Sequence, residues 1–309
     1  MEQLYDQRQL RKHLRRCLRP VGWTLVGYYV LMNIVVLAAV LITGTANGEG
    51  WGYLTASMLG LLVLLVWKKP RFWIEEIWAK GKPMKAGQFF CILCVFMSAQ
   101  SVYQTMTSSI ELFLNSYGFT MMEGLEAMNP DMGSFSMFFY AGIAAPIAEE
   151  LIFRGFIQRT LMPYGKKLAI LGSAFTFGIF HGNLLQTPYA FLVGLVLGYV
   201  AMEYNIGWAM VLHMINNLVV ADILTRLTMG LDQMLQGLII TFIVSLFAVG
   251  AIIILICKRR EIKSYISSEK IQSDCLHSFF INGGMITLMV LMLINIIASF
   301  FMIITPIRF

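Results

Sequence analysis

Charge is scarce in this chain. Of 309 residues only 13% are Asp, Glu, Lys or Arg, whereas 58% are hydrophobic. Water-soluble domains carry about twice that share of charge, so an ordinary globular protein is excluded and a polytopic membrane protein is expected. Histidine is scarcer still, with four copies. No His-Glu-x-x-His pair occurs, which removes the commonest helical zinc-hydrolase signature. A Gly-x-Ser-Gly serine motif and a Gly-x-Gly-Asp aspartyl motif are absent too. The five cysteines are scattered. Cys91 and Cys94 have redox-like spacing but lie in an apolar run, where small packing residues are the expected role. There is no internal repeat and no long linker.

What is present is a series of apolar segments, each near the length a bilayer requires. They cover 23–43, 53–67, 88–106, 134–156, 167–182, 188–202, 207–224, 236–257 and 282–305. The expected fold is all-α, a polytopic transmembrane helical bundle of about eight or nine membrane helices. Its parts are a basic cytoplasmic N-terminal segment (1–20), a helical core (21–257), a polar cytoplasmic loop (258–281) and an extra C-terminal membrane helix (282–309). The first part crowds Arg8, Arg11, Lys12, Arg15, Arg16 and Arg19 ahead of an apolar run. Abutting a span, it reads as an orientation signal and a surface-lying basic helix rather than a nucleic-acid arm, so no nucleic acid is expected as partner. Basic loops around Lys68, Lys69, Arg71, Lys80, Lys82 and Lys85 alternate with acidic ones around Glu49, Glu111, Glu123, Glu126 and Asp131. The alternation puts the N-terminus in the cytoplasm, with Arg308 a lone dissent. Length and the lack of a targeting segment point to the plasma membrane of a bacterium.

Against this background the polar residues inside the apolar segments stand out. Glu149 and Glu150 are adjacent, and Arg154 follows Glu150 by one helical turn. A carboxylate pair at bilayer depth is costly unless it serves a site. His181 ends another apolar run, while His213 and Asn217 are four apart on a third. At roughly 1.5 Å per residue, Glu149, His181 and His213 fall near the middle of a hydrocarbon layer of about 30 Å. A carboxylate beside an imidazole can deprotonate water and return the proton to a leaving amine. An imidazole and a carboxamide can steady an oxyanion, although His and Asn also serve as interhelical glue. The implied reaction is peptide hydrolysis by water, with Glu149 or Glu150 and His181 activating it and Arg154 orienting the second carboxylate. Zinc or another divalent ion is left open, with Glu149, His181 and His213 as its ligands.

In this order and spacing the motifs resemble the CPBP family of intramembrane proteases, which includes the type II CAAX prenyl endopeptidases and the bacterial Abi proteins. Glu149, Glu150 and Arg154 match Glu-Glu-x-x-x-Arg; Phe177 and His181 match Phe-x-x-x-His. Phe191 and Gly194 match a weaker Phe-x-x-Gly, and His213 and Asn217 match His-x-x-x-Asn. The likeness covers 134–224. It implies Glu149 and His181 acting on the attacking water, His213 and Asn217 forming the oxyanion site, and Arg154 supporting Glu150. Members are often labelled metalloproteases, although a mechanism without metal is also argued. The implied partners are membrane lipid and a peptide or protein substrate, lipidated or a peptide precursor. The alternatives are a non-enzymatic bacteriocin-immunity or adaptor protein on the same fold, and a proton-coupled transporter, which would carry internal pseudo-symmetry. Gly194 and Gly198 form a small-xxx-small pair, for which close helix packing is the expected role.

Overall fold

In the computed structural model the described residues are 2–44, 50–67, 72–128, 134–223, 227–228 and 230–307. Glu49, Lys68, Lys69, Arg71, Asp131 and Arg308, on which part of the charge alternation rests, lie outside them, as does Leu224. The chain is helical, apart from a two-residue antiparallel pairing of β1 (Phe119–Thr120) with β2 (Thr305–Pro306). Helices α1 (Glu2–Thr43), α2 (Trp51–Trp67), α3 (Ala86–Met97), α4 (Ala99–Asn115) and α5 (Met122–Met128) come first. Next, α6 (Phe135–Phe139), α7 (Ala145–Glu150) and α8 (Arg159–Leu161) are strung together by π-helical turns at Tyr140–Ala144 and Leu151–Gln158. Helices α9 (Lys166–Phe180), α10 (Gln186–Glu203) and α11 (Ile206–Ile215) follow, α11 running into a π-helical turn at Asn216–Ile223. The last are α12 (Gln233–Cys257), α13 (Arg259–Ser267), α14 (Ser273–Phe280) and α15 (Gly283–Ile303).

Four helix starts fall where the sequence offers a capping side chain. Ser134 accepts from the amide of Met137, Asn205 from Trp208, Asp232 from Leu235 and Asn282 from Met285. Each apolar segment of the sequence is helical among the described residues, but their lengths differ. Five stretches are long and apolar enough to cross a membrane: Gln9–Ile42, Ala86–Asn115, Phe135–Tyr164, Met234–Cys257 and Gly283–Ile303. This is fewer than eight or nine. The difference lies in short helices such as α2 and α11, and in α9 and α10 at the centre.

Helices α9 and α10 make the most extensive pairing in the molecule. Glycines allow it: a Cβ on Gly194 would stand 3.0 Å from Ala174 Cα, and one on Gly198 3.2 Å from Ile170 Cγ2. Because most of α9 is buried against protein, it need not match the thickness of a lipid layer. By contrast α12 presents Leu238, Phe242, Leu246, Val249, Ile253 and Ile256 outward, as a lipid-facing helix should.

Two terminal features tie the ends of the chain to the core. The basic N-terminal residues do not form a separate surface helix: α1 runs unbroken through Pro20 into the apolar stretch. Its early turns bury Leu14 and Leu18, and Arg11 pairs with Asp274 at 2.6 Å. The last helix is no appendage either. It packs closely on α1, where a Cβ on Gly22 would overlap the backbone of Gly284 and Met285.

Candidate active site

The site begins at the C-terminal end of α7. Glu150 is fully buried and Arg154, a turn later, is 1% exposed. Arg154 Nη1 donates to Glu150 Oε1 at 2.9 Å, and Nη2 donates to the Gly194 carbonyl at 3.2 Å. The guanidinium also lies over the Phe177 ring, 4.4 Å from its centroid. A buried charge pair is costly unless further partners offset its lost hydration; here α10 supplies a backbone acceptor and α9 an aromatic face, while Arg154 Nε and Glu150 Oε2 are buried without a hydrogen-bond partner among the described residues. Gly194 therefore supports Arg154 while permitting the α9–α10 approach.

Glu150 Oε1 also accepts from His213 Nδ1 at 3.0 Å. A carboxylate only accepts, so this bond puts a proton on Nδ1 and turns Nε2 away from Glu150. Nε2 faces Glu149 Oε2 at 3.7 Å, beyond a direct hydrogen bond but within ion-pair range. Arg154, Glu150, His213 and Glu149 thus form a continuous line. Its buried end is Arg154–Glu150, and its accessible end is Glu149, whose side chain is 33% exposed.

His181 sits at the end of α9, where Gly182 adopts a left-handed conformation (φ +59°) and stops the helix. His181 Nδ1 is 2.9 Å from the Phe177 carbonyl oxygen. That oxygen can only accept, so Nδ1 carries the proton and Nε2 presents a lone pair. His181 and His213 both meet Phe177 edge to face, at 4.8 and 5.7 Å between centroids. Phe177 is therefore the spacer that Arg154, His181 and His213 share. The imidazole in ion-pair range of Glu149 is His213 rather than His181.

Asn217 lies in the π-helical turn after α11, and its Nδ2 donates to the Ala141 carbonyl at 2.9 Å. That carbonyl is free for a local reason. The amide of Ala145 bonds to Tyr140 instead, and the next residue along, Pro146, has no N–H. Asn217 and His213 thus approach the Glu149–Glu150 segment from one helix through different partners.

Other polar groups here were invisible in the sequence. Tyr28 and Tyr140 both neighbour Ser57, and both phenols lie within electrostatic range of Glu149. Gln100, Tyr189 and Asn216 interlink beside Asn217. Their partners lie on distant helices, so no spacing within a single segment joins them.

Among the described residues no three His, Cys, Asp or Glu side chains converge closely enough to hold an ion. Of the expected ligands, His181 and His213 commit Nδ1 to the Phe177 carbonyl and to Glu150, which leaves their Nε2 atoms and the Glu149 carboxylate as the available donors.

Comparison with curated proteins and with solved structures gives no match. In comparison with protein families, residues 131–219 match the model described as type II CAAX prenyl endopeptidase Rce1-like. That segment contains Glu149, Glu150, Arg154, His181, His213 and Asn217. Across residues 131–219 the chain carries an Rce1-like domain, which supports a CPBP-family protease.

Proposed function

We propose that the protein is an intramembrane endopeptidase that hydrolyses a peptide bond in a membrane-associated peptide or protein with a water activated by Glu149. The observation that carries this reading is the line from buried Arg154 through Glu150 and His213 to partly exposed Glu149. It holds the Glu150 carboxylate fixed between two donors and leaves the Glu149 carboxylate accessible. In the reaction, Glu149 takes a proton from water held between its carboxylate and His181 Nε2. The oxygen adds to the scissile carbonyl, and the oxyanion is met by the second N–H of Asn217 Nδ2 and by His213 Nε2. For that step His213 is the imidazolium, donating to Glu150 from Nδ1 and to the oxyanion from Nε2. Glu149 then returns its proton to the leaving amine, the C–N bond breaks, and a new carboxylate and amine are released.

The substrate is peptidic and reaches the site from the bilayer, as a lipidated chain or a peptide precursor. The host membrane is the plasma membrane of a bacterium, with the N-terminus in the cytoplasm, because the basic segments gather at one end of the bundle. The test is cleavage of a labelled membrane-anchored peptide by protein purified in detergent. Glu149→Gln and His181→Ala should each lower turnover by about a thousandfold while the protein keeps its wild-type thermal unfolding. Near-normal turnover by Glu149→Gln would overturn the assignment of the base.

A further inference from the structure

Beside Asn217 lies a polar chain that the hydrolytic scheme does not use. Gln100 on α4 donates from Nε2 to the Tyr189 hydroxyl at 2.7 Å and to Asn216 Oδ1 at 3.1 Å. Tyr189, on α10, donates its hydroxyl proton to the same Asn216 Oδ1 at 2.9 Å. Asn216 Nδ2 in turn donates to Asn217 Oδ1 at 3.1 Å, and Asn217 Nδ2 donates to Ala141. Three helical segments of distant sequence thus converge on one carboxamide.

The chain has a direction. The Ala141 carbonyl can only accept, so it fixes Nδ2 on one side of Asn217 and Oδ1 on the other. At the far end, two donors meet Asn216 Oδ1 and force its Nδ2 toward Asn217. Both ends therefore favour a single orientation of the Asn217 amide. Orientation matters because a flipped Asn217 would aim its carbonyl oxygen, not an N–H, at the site. An oxyanion would then meet a negative dipole instead of a donor.

We propose that Gln100, Tyr189 and Asn216 are positioning residues that hold the Asn217 amide with its N–H toward the reacting carbonyl. The proposal rests on the hydrolase reading above for its consequence, but the orientation itself can be tested without turnover. In protein labelled with 15N-asparagine, the side-chain NH2 pair of Asn217 is assigned by its loss in Asn217→Asp. Tyr189→Phe and Gln100→Glu should each move or broaden that pair and leave the Asn33 pair in place. An unchanged Asn217 pair in both variants overturns the relay. Gln100→Glu, which keeps the shape but removes both donors, decides the matter if Tyr189→Phe fails to fold.

Kinetics supply the second arm. Tyr189→Phe should lower kcat about tenfold with KM changed by less than about twofold, because the donor acts in the transition state. In an Asn217→Ala background the same substitution should cost less than about twofold. Equal losses in both backgrounds overturn the relay. A wild-type protein that cleaves nothing overturns the hydrolase reading instead, and the resonance of Asn217 then decides the relay.

Discussion

At the scale of single residues, Arg154 bears the largest electrostatic burden. Its guanidinium and the Glu150 carboxylate are both wholly inaccessible, so neither charge can be satisfied by bulk water. Removing one partner of such a pair costs about 3–5 kcal/mol, chiefly because the other is left charged and unpaired. Arg154→Met should therefore lower stability by about that amount, measured by unfolding in detergent. Adding Glu150→Gln should restore a substantial part of the loss, since the stranded charge is gone. Equal stability of Arg154→Met and wild type would show that the pair is not held as described. Phe177 shows why a motif pairs an aromatic residue with a histidine one turn on: its carbonyl fixes the His181 tautomer while its ring seats Arg154.

At the scale of helices, two devices position the site: π-helical turns and glycine crossings. The turn at Tyr140–Ala144, completed by Pro146, frees the carbonyl that Asn217 uses. The glycine crossing at Gly22 and Gly284 brings α15 against α1. From there Asn295 donates to the Tyr29 hydroxyl at 2.6 Å, and Ser299 donates to the Gly182 carbonyl at 3.1 Å. The last helix thus braces the turn that carries His181. Gly22→Val should part the two helices, costing about 1–3 kcal/mol, and should lower peptide cleavage along with stability. Gly27→Ala, where nothing lies within 4 Å of the added carbon, should leave both intact. Wild-type behaviour of Gly22→Val in both assays would remove the bracing role.

These same elements explain what could be read in advance. Glu149, Glu150 and Arg154 share one helical segment, and their i to i+4 spacing was visible as such. His213 and Asn217 were visible for the same reason, but their separate partners were not. A reading based on 3.6 residues per turn assumes regular α-helix, and the turn beginning at Asn216 departs from it. Contacts between distant helices were hidden altogether. Ser57 with Tyr28 and Tyr140, or Gln100 with Tyr189, leave no periodic trace in an apolar run. Among the described residues only five of the expected eight or nine spans are long and apolar enough to cross by themselves, because short helices buried by protein, such as α9, look in sequence like helices buried by lipid.

At the scale of the molecule, polar contacts gather at one end of the bundle and tie the 258–281 segment to the core. Arg15 donates to His277 at 3.0 Å, and Lys167 Nζ donates to the carbonyls of Ile266 and Glu269. Glu203 is the centre of this end. It takes Lys82 at 2.8 Å, Lys166 at 3.6 Å and the Tyr265 hydroxyl at 3.3 Å. Burial alone would raise its pKa, but the Lys82 hydrogen bond, the charges of Lys166 and Lys82 and the Tyr265 hydroxyl outweigh burial and hold it below the ordinary 4.5. Lys82 is held above its ordinary 10.5 by the hydrogen bond to Glu203. A depressed carboxylate stabilises the fold above its unfolded pKa and loses that contribution as pH falls through the folded value. A raised lysine loses its contribution only as pH rises through its folded value. The latch should therefore hold between these limits and open in acid. At neutral pH, hydrogen exchange across 258–281 should be faster in Glu203→Gln than in wild type. Below about pH 4 the two should converge. A difference that persists undiminished in acid would contradict the latch.

The central claim is that water held by Glu149 attacks the peptide bond. A single turnover in 18O-labelled water tests it most directly. The account predicts one labelled oxygen in the new C-terminal carboxylate of the product and none in the Glu149 side chain, located by fragmentation of the recovered protein. Label in Glu149 would mean that the carboxylate itself attacked and was released by hydrolysis of an acyl intermediate, and would contradict the account.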